Sequence, residues 1–370
     1  MSFDKLNLKK EVLESLIINK FTEPTQVQRE LIPRIVSGNN VVFTSRTGSG
    51  KTLAYTLGVI SKLNKKLGLQ MIVLVPTREL AIQVGKEITK IVNHLGLSVA
   101  TLYGGRSVEG DYRTISKKNQ ILVGTPGRVI QHINIKSIKV GEVKHLVLDE
   151  SDQMFDEGFM KDCAYIATRV SKDVQIILSS ATITQKVKSF IEEEIVSYDQ
   201  LFIGEQIPST IKQETIFVLD KKQKEQTLIK YLKDFLKESS RKKILVFANT
   251  KMKVGELAKT LEEKKIRAQA IHSGVLQKER VNRLNLFKQG RLSVLVTTDV
   301  SARGIHIDDV DLVINFDVPT RLEFFVHRIG RTGRVGAQGA ALTLVQPEDD
   351  ERYKEIKEEF SLKAEEKKIS

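Results

Sequence analysis

A single cysteine, Cys163, occurs among the 370 residues. No intrachain disulfide can form and no cysteine-based metal site is possible, so the lone thiol is expected to be a small buried apolar residue. Long apolar runs are also missing, and nothing approaches the roughly 18 residues that a membrane helix needs. The first twenty residues mix charges throughout and lack an apolar core followed by a small-residue cleavage site, so no secretory signal is expected. A reducing, cytoplasmic location without membrane association follows as the expectation. His94, His132, His145 and His272 have no metal-like spacing, and structural roles are expected for them.

What is present is enough for two cores. At 370 residues the chain suits two domains of roughly 150 to 200 residues each, and 41% hydrophobic content supplies both. Residues 1–204 hold 27 basic and 21 acidic side chains, and residues 205–370 hold 32 and 25, so the halves carry +6 and +7 of the net +13. A surplus shared by both halves suits a polyanion lying across both domains, although a merely soluble basic protein would look similar.

The stretch Ser45-Arg46-Thr47-Gly48-Ser49-Gly50-Lys51-Thr52 organises the first half. It follows the apolar run Val41-Val42-Phe43 and precedes a helix-like run, so it falls where a strand turns into a helix. Gly48 and Gly50 let successive N–H groups point inward at phosphate oxygens beside a helix N-terminus. Lys51 then reaches the β- and γ-phosphates and the Thr52 hydroxyl holds Mg2+. Ser45 stands where the usual pattern has glycine. On spacing alone, a glycine turn before an ordinary helix is the competing explanation.

Apolar spacing over residues 6–18 predicts a helix. Phe21-Thr22-Glu23-Pro24-Thr25-Gln26-Val27-Gln28 follows. The Gln28 amide matches the N6 and N7 edge of adenine, and the Phe21 ring can stack on the base. Taken alone, these two would be a core aromatic and a surface amide. Short apolar runs at 71–75, 99–103, 121–123, 146–148 and 176–178 alternate with helical patterns, which implies an α/β fold with a parallel sheet covered on both faces.

Polar motifs sit at the ends of those runs, where ligands of such sheets collect. Pro76-Thr77-Arg78-Glu79-Leu80, Gly104-Gly105 and Thr125-Pro126-Gly127-Arg128 offer small residues, hydroxyls and arginines suited to gripping a phosphodiester chain without reading bases. Turn chemistry with surface charge explains any one of them equally well. Residues 146–148 deliver Asp149-Glu150-Ser151-Asp152, giving one carboxylate to the Mg2+ shell, partly through water, and a second to activate the attacking water. Residues 176–179 lead into Ser180-Ala181-Thr182, whose hydroxyls are placed to bond those carboxylates. Ser180, Thr182 and Asp152 are therefore candidates for coupling the two sites.

Together and in this order, these motifs resemble the DEAD-box family of ATP-dependent RNA helicases, over roughly residues 1–350. Phe3 looks like the family's outlying upstream aromatic. A looser stretch, 203–211, marks a linker. A second alternating series follows at 244–247, 268–271, 294–297, 312–315 and 341–345, with no phosphate loop of its own. It carries His327-Arg328-Ile329-Gly330-Arg331-Thr332-Gly333-Arg334, which matches the family's HRIGRTGR completely. Spacing places Arg331 and Arg334 one helical turn apart, able to face a common anion and to act as arginine fingers. A basic, nucleic-acid-facing turn is the alternative. By resemblance, Thr250, Arg280 and Thr298 contact RNA, and Gly304 lies by ATP.

The resemblance implies two tandem RecA-like domains, each a parallel sheet flanked by helices, with ATP and Mg2+ in the interdomain cleft. The expected bounds are 1–204 for the ATP-binding domain, 205–213 for a linker, 214–347 for the second domain and 348–370 for a charged tail. ATP-binding residues would be Phe21, Gln28, Ser45 through Thr52, Gly304, Arg331 and Arg334. Lys51, Asp149, Glu150, Arg331 and Arg334 would be catalytic, with Thr52 and Asp149 holding the metal. RNA would lie along Pro76, Thr77, Arg78, Gly105, Thr125, Pro126, Arg128, Thr250, Arg280 and Thr298.

Ser151 replaces the alanine of the DEAD tetrapeptide, a change small enough to leave the roles of Asp149 and Glu150 intact. His306 replaces an aspartate near the ribose and removes a negative charge. Residues 348–370 carry nine acidic and six basic side chains and read as a solvated helix or frayed tail, not a basic RNA-targeting extension. The implied activity is unwinding of short RNA duplexes by ATP-driven domain closure, by a monomer, largely independent of sequence, with any RNA specificity coming from a protein cofactor or from surface details. An ATP-gated RNA clamp with slow turnover uses the same motifs and is the alternative.

Overall fold

The computed structural model of the protein describes residues 2–45, 48–115, 118–204, 207, 209–237, 239, 242–302, 307, 310–333 and 338–368, with the side chains of residues 277 and 368 outside that description. The chain divides into two compact units, Met1–Gly204 and Glu205–Ser370.

The first unit opens with a short 3-10 turn, Phe3–Lys5, and then α1 (Lys10–Ile18), so the expected helix begins four residues later than its apolar spacing suggested. The elements α2 (Gln26–Ser37), β1 (Val41–Thr44), α3 (Lys51–Ile60), β2 (Met71–Leu74), α4 (Arg78–Val92) and β3 (Val99–Leu102) follow. Next come α5 (Val108–Ile115), β4 (Ile121–Gly124), α6 (Pro126–Asn134) and β5 (His145–Leu148). The unit ends with α7 (Ser151–Asp156), α8 (Met160–Arg169), β6 (Gln175–Ser180), α9 (Gln185–Glu194) and β7 (Asp199–Phe202).

All seven strands are parallel, in the order β3-β4-β2-β5-β6-β1-β7. The central strands are apolar on both faces because helices cover both. Val41, Phe43, Val73, Val147 and Ile177 pack into one layer, and Val42, Ile72, Leu74, Leu146 and Leu148 into the other, the period of two that a pleated strand imposes. Phe3 and Cys163 are buried within these layers.

The second unit contains β8 (Ile211–Phe217), α10 (Lys221–Lys237), β9 (Ile244–Phe247), α11 (Lys251–Glu263), β10 (Ala268–Ile271), α12 (Gln277–Lys288) and β11 (Val294–Thr297). It closes with α13 (Asp299–Ala302), β12 (Leu312–Asn315), α14 (Leu322–Ile329), β13 (Gly339–Val345), α15 (Asp350–Glu359) and β14 (Glu365–Lys368). Its strands are also parallel, in the order β10-β11-β9-β12-β13-β8-β14. Position by position this repeats the first sheet, with β8 where β1 stands and β14 where β7 stands.

Two expectations need correction here. Residues 211–213, expected to belong to a linker, form the start of β8, where buried Ile211 pairs with Gly339. The end of the chain, expected to be a solvated helix or frayed tail, does form a helix, but that helix and the strand after it are part of the second unit. Tyr353 and Ile356 of α15 are buried in its core, and β14 pairs with β8 as the seventh strand. Among the described residues no helix is long and apolar enough to cross a membrane.

Candidate active site

The phosphate loop leaves β1 beside β6, with the Ser45 N–H donating to the Ser180 carbonyl at 3.2 Å. Gly48 (φ +76°) and Gly50 (φ +90°) are left-handed, a conformation that glycine adopts without steric cost. Gly50 is the N-cap of α3 and, as a glycine, has no side chain to cap its first turn. Lys51 is only 7% exposed and its ammonium donates to the Ser45 carbonyl at 3.4 Å, folding back over the loop. The Ser45 hydroxyl lies 3.2 Å from that of Ser49, so the serine in the glycine position is accommodated within the loop. Arg46 and Thr47 lie outside the described residues.

Thr25 and Gln28 form a reciprocal capping box at the start of α2. Both also reach the phosphate loop: the Thr25 hydroxyl donates to the Ser49 carbonyl at 2.9 Å and Gln28 Nε2 donates to the Gly50 carbonyl at 3.3 Å. Gln28 is buried, and its Oε1 accepts from the Thr25 N–H at 2.9 Å. Phe21 is 40% exposed.

β5 delivers Asp149, buried at the strand tip. Its Oδ1 accepts from the Ser179 hydroxyl and from the Glu150 N–H (3.1 Å), and its Oδ2 accepts from the Tyr55 hydroxyl at 3.1 Å. Glu150 is held at φ 53°, ψ 50°, a left-handed conformation unusual for a residue with a side chain. Asp152 Oδ2 accepts from the Ala181 N–H (3.2 Å), the Thr182 N–H (3.0 Å) and the Thr182 hydroxyl (3.0 Å). Thr182 therefore bonds a carboxylate as expected. Ser180 does not: its hydroxyl donates to the Thr182 carbonyl at 2.6 Å. The carboxylate partner on β6 is Ser179, because successive strand residues face opposite ways.

Tyr55 and Ser179 were not singled out from sequence. A lone phenol within an apolar helix was the available signal, since its hydroxyl must find a partner when buried. Burial, with Asp149 adding to it, pushes the Tyr55 phenol well above its ordinary range, so it is a neutral donor. The oxygen donors Thr52 and Asp149 suit Mg2+, which takes one or two protein oxygens and completes its shell with water and phosphate. Among the described residues no three His, Cys, Asp or Glu side chains cluster as a metal site.

The candidate RNA rim divides into open and closed groups. Pro76 is buried, the Thr77 hydroxyl caps α4 by accepting from the Leu80 N–H at 3.3 Å, and Arg78 is exposed. The Arg78 guanidinium packs on Gly105, where a Cβ would fall 1.8 Å from its Nη1. Pro126 opens α6, and the Thr125 side chain makes no cap there. Arg128 corrects the expectation. It is 8% exposed and its guanidinium is committed internally, to Asp111 (2.7 Å), Gln131 (2.9 Å) and the carbonyls of Arg106 (3.1 Å) and Ser107 (2.8 Å). Asp111 is fully buried and also meets Arg106 (2.5 Å) and His132 (2.9 Å). An acid on a helix with no motif around it gave no sequence signal of this role.

In the second unit, the Thr250 hydroxyl caps α11 by accepting from the Lys253 N–H at 3.3 Å, and the Thr298 hydroxyl donates to Ser301 at 3.0 Å. Arg280 sits in the first turn of α12. Arg331 lies beyond the end of α14, which stops at Ile329. Arg334, Gly304 and His306 lie outside the described residues. The motif's first arginine, Arg328, is buried: it forms paired bonds to Asp299 (2.6 and 2.7 Å) and reaches Asn315 (3.2 Å), the Asp317 carbonyl (2.7 Å) and Asn249 (2.9 Å). Burial raises the Asp317 carboxyl, but the Asn249 N–H, Lys224 and Lys253 more than offset it and hold it below its ordinary value.

A family model described as DEAD/DEAH box helicase matches residues 25–190, and one described as Helicase conserved C-terminal domain matches residues 223–336. The chain is 37% identical over 358 residues to the DEAD-box ATP-dependent RNA helicase CshA of Bacillus cereus, covering 96% of this chain and 67% of that protein. It is 35% identical over 356 residues to the DEAD-box ATP-dependent RNA helicase RhpA of Helicobacter pylori, covering 96% and 71%. In structure it resembles S. cerevisiae Dbp5 bound to RNA and ADP BeF3, with a TM-score of 0.86 and 27% identity, over 99% of this chain and 95% of that one.

Proposed function

This chain belongs to the DEAD-box helicase family, and from that membership we propose that it is an ATP-dependent RNA helicase, hydrolysing ATP to ADP and phosphate as it separates short RNA duplexes. The observation that carries the reading is the hydrogen bond between Tyr55 and Asp149, which joins the phosphate-loop helix to the acidic strand tip. The loop N–H groups and Lys51 bind the phosphates, while Phe21 and Gln28 face the adenine. Thr52 and Asp149 hold Mg2+, which neutralises phosphate charge when bound with the nucleotide. Glu150 orients the water and accepts its proton.

Arg331 and Arg334 stabilise the charge that develops on the γ-phosphoryl group when the units close on ATP and RNA. Because ATP and RNA both favour the closed state, each raises the affinity for the other. RNA runs along Pro76, Thr77, Arg78, Gly105, Thr125, Pro126, Thr250, Arg280 and Thr298, held by its backbone, so binding is weakly sequence-dependent and strongly salt-dependent. Arg128 is left out of this set and acts by shaping the rim. A cytoplasmic location and a monomeric state belong to the same proposal.

Steady-state ATP hydrolysis with and without single-stranded RNA, with matched DNA and GTP as controls, tests the proposal. Stimulation by RNA for ATP alone is expected. ATP binding without hydrolysis under any condition would favour the slow clamp instead.

A further inference from the structure

Tyr55 is fully buried in an α3 whose other residues after the first turn are almost all apolar, and a hydroxyl in that setting must be satisfied. Its hydrogen goes to Asp149 Oδ2 at 3.1 Å. Thr52 stands three residues earlier on the same helix, so both positions lie on one face of its first turns.

Asp149 is constrained from its other side as well. Oδ1 has two donors, the Ser179 hydroxyl and the Glu150 N–H. Oδ2 receives Tyr55, which among the described residues leaves one lone-pair position open on that oxygen. The phenol thus ties the helix that carries Thr52 to the strand tip that carries Asp149, and fixes the orientation of the Asp149 carboxylate.

We propose that Tyr55 is a positioning residue for Mg2+: its hydroxyl holds Asp149 Oδ2 against the helix that carries Thr52 and so sets the geometry in which their oxygens meet the metal or its water shell. This rests on the nucleotide-site reading above. Groups that orient metal ligands typically change metal affinity by about 10- to 100-fold when removed. Core packing alone would need the ring and not the hydroxyl.

The test is equilibrium binding of a fluorescent ADP analogue to the full chain, titrated with Mg2+, for the wild type and Tyr55→Phe. Phenylalanine keeps the ring and deletes one oxygen. The expected result is a rise of about tenfold in the Mg2+ concentration at half-maximal enhancement, with nucleotide affinity in EDTA unchanged. An unshifted Mg2+ midpoint, or an equal loss of affinity with and without Mg2+, would overturn the inference while leaving the nucleotide site intact. A wild-type chain whose nucleotide binding ignores Mg2+ would overturn the metal assignment and the inference with it. Thermal unfolding without nucleotide separates positioning from loss of fold: Tyr55→Phe should unfold in one cooperative transition, lowered only by the lost buried hydrogen bond.

Discussion

Gln28 clasps the phosphate loop at Gly50: Nε2 donates to the Gly50 carbonyl over 3.3 Å while Oε1 is held by the Thr25 N–H. Any Cβ at Gly50 would fall 2.5 Å from that Nε2. The side chain proposed to read the adenine thus also holds the phosphate loop in place. Gln28→Glu exchanges the donor for an oxygen facing the carbonyl and should weaken ATP binding by roughly tenfold. Competition binding against GTP should show the preference for ATP shrinking in parallel. Retained affinity and preference would show that the amide plays no part in either.

Glu150→Gln keeps the size of the side chain but removes its basicity. ATP and RNA binding should persist and turnover should stop, which single-turnover hydrolysis and filter binding together would reveal. Arg331→Ala should slow hydrolysis by roughly 10^3-fold or more while nucleotide affinity changes far less. An unchanged rate would remove the arginine-finger role.

Asp111 is enclosed by Arg106, Arg128 and His132 with no exposure of its own. Asp111→Asn leaves the arginines without their counter-charge and should destabilise the first unit by about 3–5 kcal/mol. The urea midpoint reports this directly. RNA affinity should fall too, because Arg106 and Arg128 join the segments that follow β3 and β4.

Among the described residues, the buried Ser151 hydroxyl has no hydrogen-bond partner. Ser151→Ala removes that unsatisfied group and should stabilise the fold by about 1 kcal/mol. Denaturant unfolding of the two proteins at matched conditions reads the difference.

Burial lowers His145 from 6.5 to about 4, against a partly compensating bond to Gln175. Because the unfolded chain binds this proton more readily, the contribution is fully present above pH 6.5. It declines as pH falls from 6.5 to about 4, by up to about 3 kcal/mol. Asp317 titrates lower still and does not overlap this window. His145→Gln should flatten the loss of stability measured between pH 7 and pH 5.

The phosphate loop, the acidic strand tip and the central strands were legible because each couples a distinctive residue type to a continuous apolar run. Less regular patterns hid the rest. β7 alternates half-buried and exposed residues, β8 mixes Lys212, Gln213 and Glu214 into its run, and β14 is built of charged residues, so none shows a core strand's signature. Arg128 and Arg331 mark a different limit. Their motif gives residue type and neighbourhood, but whether a guanidinium turns into the protein depends on Asp111, far along the chain, or on where a helix stops. Ser179 and Ser180 are adjacent and chemically identical, and only the pleat decides which meets Asp149.

The last strand has a consequence for association. β14 covers the flank of β8, and its own outer edge presents Glu365, Glu366 and Lys367, all exposed, with Glu366 paired to Lys357 and Lys367 to Glu214. A parallel sheet that ended at β8 would offer an unpaired ladder beside a core residue such as Ile216, a template for another chain to join. Ending instead on a short row of charges makes the flank a poor template, so these acidic and basic residues guard the protein against edge-to-edge aggregation.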